Sequence, residues 1–141
     1  MSRPRFSIVL PTKNRSFLVG HAIQSALTQS CSDLELIVAD NDAGDATRQT
    51  VERFRDPRLR YLRTGGLNMN DNWERAAEAA SGEYLVMIED KQMLRRNALA
   101  RLEDCVAQHQ PEVIRWLWDD FEDTERPPRV RRLTGGAVKN T

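Results

Sequence analysis

Glu89, Asp90, Lys91 and Gln92 follow the apolar run from Leu85 to Ile88, and the chain turns apolar again at Met93 and Leu94. Two neighbouring carboxylates, an ammonium and an amide at the end of a hydrophobic run could hold a metal, a phosphate or only water. Which of these applies depends on what else converges there. Three other apolar runs end in similar fashion: one in Pro11, Thr12, Lys13, Asn14 and Arg15, one in Asp40, Asn41 and Asp42, and one in Thr64, Gly65 and Gly66. Each end supplies hydrogen-bonding groups, charge of either sign, or a conformationally permissive backbone.

The elements that would position these groups alternate along the chain. Phe6 to Pro11 is a short apolar run rich in β-branched residues, as expected of a strand covered on both faces. Val19, Ile23, Ala26 and Leu27 form the stripe of an amphipathic helix. Leu34 to Asp40 reads as a second strand, and Asp45 or Thr47 as the cap of a helix reaching about Phe54. Arg58 to Arg63 reads as a weaker, edge-like strand. Asp71 and Glu74 resemble a capping box, with Gly82 at the C-cap of the helix they would start. Glu83 to Ile88 reads as another strand, Leu99, Leu102 and Val106 as another helical stripe, and Glu112 to Trp118 as a last strand. Strand and helix in repeated alternation predict an α/β fold: an open, mainly parallel sheet with helices on both faces.

Ligands of such sheets bind beyond the carboxyl ends of the strands, near the point where strand order reverses, and helix N-termini there suit phosphate. The four polar strand ends lie on that edge, so a phosphate-bearing small ligand, a nucleotide in particular, is the expected occupant. The bland alternative is that loops of any α/β protein are polar. The connections on the opposite edge, at residues 29–33, 55–58, 80–83 and 108–112, are as polar but lack the dense acid and amide clustering.

Composition narrows the classes. The 141 residues carry 30% charged side chains and a formal net charge of zero, so no global field favours nucleic acid or an anionic membrane. Cys31 and Cys105 have neither metal-site spacing nor a disulfide framework, no charged-then-apolar leader opens the chain, and a reduced, cytoplasmic setting is expected. The apolar runs are far shorter than the roughly 18 residues of a membrane span. After Trp118 the pattern stops, so residues 1–118 read as the domain, with 119–141 an irregular tail or a truncated remainder. Asp119, Asp120, Glu122 and Asp123 fall in that tail and read as a solvated charge run rather than a metal site.

The wording of residues 6–15, 34–47 and 68–90 resembles the N-terminal, nucleotide-binding part of the family 2 inverting glycosyltransferases of the GT-A fold. These show a strand ending in Pro-Thr-x-Asn-Arg, a second ending in Asp-Asp or Asp-Asn, a helix leading to Gly-Glu-Tyr, and a strand ending in Asp-x-Asp. The likeness covers about residues 5–118. It implies a fold of the nucleotide-diphospho-sugar transferase type, incomplete at the C-terminus. The implied partners are a nucleotide-sugar donor, a UDP-sugar first among candidates, and a saccharide or other hydroxyl acceptor.

By the same resemblance, Pro11, Thr12 and Lys13 lie along the base, and Asn14 and Arg15 complete that motif. Asp40 accepts a hydrogen bond from the base, and Asn41 holds the second position of the pair. Asn68, Asn72 and Trp73 are either donor contacts or, on residue type alone, caps and core. The Asp-x-Asp motif falls on Glu89, Asp90 and Lys91. In the family these acids hold Mg²⁺ or Mn²⁺ on the donor diphosphate, and Glu89 and Asp90 are the metal ligands so implied. Lys91 offers only N–H donors and cannot ligate a cation. Three outcomes stand open: a weakened metal site, a site in which Lys91 neutralises the diphosphate, or a non-catalytic nucleotide-binding or interaction module. None of the acids between Asp119 and Asp123 matches the family's general base by motif. A sheet that stops at the last strand leaves an edge that a second copy of the chain would cover, with Trp116 and Trp118 on one face.

Overall fold

The computed structural model describes residues 2–116. Four parallel strands, β1 (Phe6–Thr12), β2 (Leu34–Asp40), β3 (Leu59–Arg63) and β4 (Tyr84–Met87), form one sheet in the order β3-β2-β1-β4. Between and after them run α1 (Ser16–Leu27), α2 (Ala46–Val51), α3 (Met69–Glu78) and α4 (Ala98–His109). The chain steps outward from β1 to β2 to β3 and then returns past β1 to place β4 on its other side. Right-handed crossovers demand that the helix change faces when the direction of stepping reverses. That is the arrangement found: α1, α2 and α4 contribute to the core on one face, and α3 to the core on the other.

The alternation of strand side chains explains both cores. Phe6, Ile8 and Leu10 of β1, Leu34, Leu36 and Val38 of β2, and Val86 and Ile88 pack against Val19, Ile23, Val51 and Leu99. Val9, Ile37 and Ala39 point the other way, against Ala76 of α3. Every residue of β1 and β2 is buried, which is why their sequences read as near-continuous apolar runs. Fully burying a side chain such as Ile8 or Leu36 contributes roughly 1.5–3 kcal/mol. β3 is an edge strand, as its weaker pattern implies, and β4 is the other edge.

Several local expectations are corrected. The cap of α3 is Asn68, not Asp71: the Asn68 Oδ1 accepts from the Asp71 N–H at 3.0 Å, and the Asn68 amide donates to the Asp71 carboxylate at 2.7 Å. Asp45 does occupy the N-cap position of α2, but its side chain makes no cap and pairs instead with Arg63 at 2.6 Å. Helix α2 itself ends at Val51, with hydrogen-bonded turns carrying on to Phe54. Gly82 is not the C-cap of α3, which is Ala79. A Cβ at residue 82 would lie 2.6 Å from both the N and Oγ of Ser7, so glycine is needed for close approach to β1. β4 is shorter than the apolar run suggests, although the Ile88 N–H still reaches the Val9 carbonyl at 3.1 Å.

The chain divides after Gln110, the left-handed C-cap of α4. All four strands and helices above lie in the first unit. The expected last strand is not formed over residues 112–116, and Leu117 and Trp118 lie outside the described residues. Alternating Val and Trp favour a pleated surface only where a neighbouring strand completes the ladder, and propensity alone does not supply one. Among the described residues no helix is long and apolar enough to cross a membrane.

Candidate functional site

The reversal of strand order lies between β1 and β4, and a cleft of about 500 Å³ opens at their carboxyl ends. Of the residues singled out by sequence, Pro11, Thr12, Lys13, Asn14, Arg15, Asn41, Asn68, Glu89, Asp90 and Lys91 all line it. Asn72 and Trp73 line it too, as do Leu67 and Met69, which sequence reasoning missed. Met69 is 71% exposed, and the signal it offered was an apolar residue placed directly after a helix cap.

The centre of the cleft is a tie between its two walls. The Thr12 hydroxyl, at the end of β1, donates to one oxygen of Asp90 at 2.8 Å, and the Arg15 guanidinium donates to the other at 2.9 Å. Asp90 is buried at 4% exposure, whereas the Arg15 side chain is 48% exposed. The hydrogen bond and charge of Asp90 raise the Arg15 pKa above its ordinary value. One cation is thereby pinned through Nη1, with its Nε and Nη2 donors making no hydrogen bond among the described residues. Beside it the Lys91 ammonium sits 3.0 Å from the Glu89 carboxylate, with both side chains well exposed. The Gln92 amide oxygen accepts from the Glu89 N–H at 2.9 Å, so the amide of this cluster closes a turn.

The loop after β1 is shaped by Asp42. Asn14 adopts a left-handed φ of 57°, which asparagine tolerates, and its N–H donates to the Asp42 carboxylate. The other Asp42 oxygen accepts from the Thr47 hydroxyl at 2.7 Å, tying the loop to α2. Asn41 holds the opposite wall. Its amide donates to the Leu67 carbonyl at 2.7 Å and accepts from the Leu67 N–H at 3.0 Å. Gly65 and Gly66, both at positive φ, let the chain swing from β3 to that clamp. Asn72 is buried at 4% exposure and accepts from the Thr64 hydroxyl at 2.5 Å, beneath the wall.

Asp40 is on the same sheet edge, paired in register with Thr12, but it is not brought to the cleft wall. It is fully buried, and its carboxylate accepts from the Asp42 N–H at 2.9 Å and the Tyr61 hydroxyl at 2.6 Å. Burial, with the hydrogen bond and charge of Asp40 behind it, pushes the Tyr61 pKa up to about 12, so its hydroxyl stays a donor. Tyr61 is a support that sequence reasoning did not identify, and Asp42 was read there only as one of the polar groups at a strand end. Neither carries a motif, because their roles arise from strand register.

The fit of a divalent cation can be judged from the donor set. A hard cation needs several oxygen ligands with charge to spare. Here the Asp90 carboxylate is engaged by Arg15 and Thr12, and the Glu89 carboxylate by Lys91. Among the described residues, no three His, Cys, Asp or Glu side chains gather where a metal could sit. As arranged, the described side chains do not by themselves make a site for a resident metal. Asp119 to Asp123 lie outside the described residues.

Comparison with known proteins agrees with this geometry. Among solved structures, the Staphylococcus aureus TarS fragment 1–349 superposes with a TM-score of 0.69 at 22% identity, over 75% of this chain and 33% of that one. TarS 1–349 has also been solved with UDP. The mannosyltransferase PcManGT of Pyrobaculum calidifontis, solved with GDP-Man and Mn²⁺, superposes at 0.66 with 24% identity, over 76% of this chain and 33% of that one. These likenesses establish the GT-A fold. In sequence, the chain is 33% identical over 103 residues to the GalNAc(5)-diNAcBac-PP-undecaprenol beta-1,3-glucosyltransferase of Campylobacter jejuni, over 70% of this chain and 33% of that protein. It is 28% identical over 118 residues to a PGL/p-HBAD biosynthesis glycosyltransferase of Mycobacterium bovis, over 81% of this chain and 46% of that protein. The chain thus spans a third to a half of the length of these curated relatives. The model of the Glycosyl transferase family 2 matches residues 7–132, and the chain belongs to that family.

Proposed function

We propose that the cleft between β1 and β4 holds the nucleoside diphosphate of a sugar donor, with a UDP-sugar the first candidate. The observation that carries this reading is the convergence of Thr12, Arg15 and Asp90, remote in sequence, on one cleft at the switch point of a parallel sheet. Pro11, Lys13 and Asn41 offer the wall against which the base rests, with Asp40 holding that wall from behind through Tyr61 and the Asp42 backbone. The diphosphate faces Arg15 and Lys91. A TarS structure with UDP and a PcManGT structure with GDP-Man support a nucleotide in this fold.

In the complete reaction an acceptor hydroxyl oxygen bonds to the anomeric carbon as the carbon–oxygen bond to the β-phosphate breaks. The nucleoside diphosphate leaves with the electron pair, the hydroxyl proton passes to a base, and the configuration inverts. Asp90 is held on both oxygens by Thr12 and Arg15, which makes it an anchor rather than the base. The half-buried free cysteines Cys31 and Cys105 suit the reducing cytoplasm, where nucleotide sugars are available.

Thermal melting of the 141-residue chain with UDP, GDP and dTDP tests the reading, because a ligand that binds only the folded state raises the midpoint by mass action. A rise with one nucleotide above the others supports it, and no rise with any sinks it. A donor-hydrolysis assay then separates a transferase from a module that binds without turnover.

A further inference from the structure

We propose that this chain neutralises the donor diphosphate with its own side-chain cations, Lys91 and Arg15, in place of a divalent metal. The inference rests on the nucleotide reading of the cleft and concerns how that site handles charge. By the resemblance of residues 68–90 to the family pattern, residue 91 falls where that pattern has its last Asp-x-Asp acid, and it is a lysine. Lysine in place of aspartate changes the local charge by two positive units, which is the charge a Mg²⁺ or Mn²⁺ ion would bring. The cleft lining consequently carries three cations, Lys13, Arg15 and Lys91, against two carboxylates, Glu89 and Asp90, a surplus of one positive charge.

The geometry makes those cations available. Arg15 is held by Asp90 through Nη1 while its side chain is 48% exposed, so its orientation is set before a phosphate arrives. Lys91 is 59% exposed, and its partner Glu89 is 38% exposed. A pair so exposed to water is worth little, about 0–1 kcal/mol, so turning the ammonium from Glu89 to a phosphate oxygen meets small resistance. Lys13 is exposed and makes no ion pair among the described residues. A metal on Asp90 or Glu89 would sit beside Arg15 or Lys91, which already hold those carboxylates, a like-charge contact at short range.

Titration calorimetry of the full chain with UDP and with GDP, in excess EDTA and in millimolar MnCl₂, tests this. The wild-type Kd in EDTA is expected to match that in Mn²⁺ within about twofold. Lys91→Ala should weaken binding in EDTA by about tenfold, the loss of one charge-assisted contact. Lys91→Asp should weaken it by about a hundredfold in EDTA and regain most of that loss in Mn²⁺, because the substitution restores an oxygen ligand where a cation stood. Residue 91 is exposed, and unchanged melting of both variants without ligand verifies that they are folded. Wild-type binding that requires Mn²⁺, or Lys91→Asp binding as tightly as wild type in EDTA, overturns the inference and leaves the nucleotide site standing. No binding under either condition overturns both.

Discussion

The two ends of the sheet each bury a carboxylate, and they use it in opposite ways. At the amino end, Glu35 of β2 is saturated. One oxygen accepts from the Ser7 hydroxyl at 2.5 Å and from the Ser81 N–H and hydroxyl at 2.7 and 2.8 Å, and the other accepts from Arg60 at 2.8 Å. Ser7 in turn accepts from the Gly82 N–H at 2.7 Å. The network joins β1, β2, β3 and the turn before β4. At the carboxyl end, Asp90 has two partners, and one of them, Arg15, extends into an open cleft. The same residue class is a staple where every partner belongs to the fold and an anchor where one partner has donors left over for a ligand.

Substitutions can break that comparison or sharpen it. The largest expected effect is at Gly82, where any Cβ collides with Ser7 backbone. Gly82→Val should lower stability by about 3 kcal/mol, read as a drop in denaturation midpoint. Glu35→Ala strands the Ser7 and Ser81 donors and should destabilise by about 2–3 kcal/mol. Nucleotide affinity in its folded fraction should stay within about twofold, and a larger loss would mean that the amino end is coupled to the cleft. Asp90→Ala should destabilise by about 1–2 kcal/mol and weaken UDP or GDP binding by about tenfold or more, because Arg15 loses its anchor. Unchanged affinity would make the carboxyl end a second staple.

Acid distinguishes the ends more gently. Burial alone would raise the Glu35 pKa, but the hydrogen bonds from Ser7, the Ser81 backbone, Arg60 and the Ser81 hydroxyl outweigh it and hold the group at about 2, below its ordinary 4.5. The folded-state pKa is depressed. Its contribution is therefore complete above about pH 4.5 and lost as pH falls toward 2, on the order of 1–2 kcal/mol after allowance for solvent around Arg60. Melting profiles of wild type and Glu35→Gln should converge across that interval. The smallest effect belongs to Arg60→Ala: with its side chain 52% exposed, the pair with Glu35 is worth under about 1 kcal/mol.

Much of the fold was legible because β1 and β2 are covered on both faces, and burial on both faces writes itself as an unbroken apolar run. The edge strands were less legible. β3 carries two arginines in five residues, and the strand expected over 112–118 had the pattern without the ladder over its described part. The cap of α3 was misplaced by three residues because Asn68 and Asp71 are both good caps, and only the path of the preceding Gly65-Gly66 turn chooses between them. Among site residues, those in motifs were found and those acting through register were not. Asp40 looks from sequence like a ligand contact, yet Tyr61, one strand away, occupies its carboxylate from the side.

The order of residue types along the chain was enough to indicate an α/β sheet and its polar carboxyl edge, Lys91 included. Those are local properties, set by side-chain period and by the chemistry of each strand end. Which polar groups face the cleft and which turn inward was decided only in three dimensions. Hydrogen-bond partners at that edge come from residues as far apart in sequence as Thr12 and Asp90, and strand order and register alone bring them within 2.8 Å.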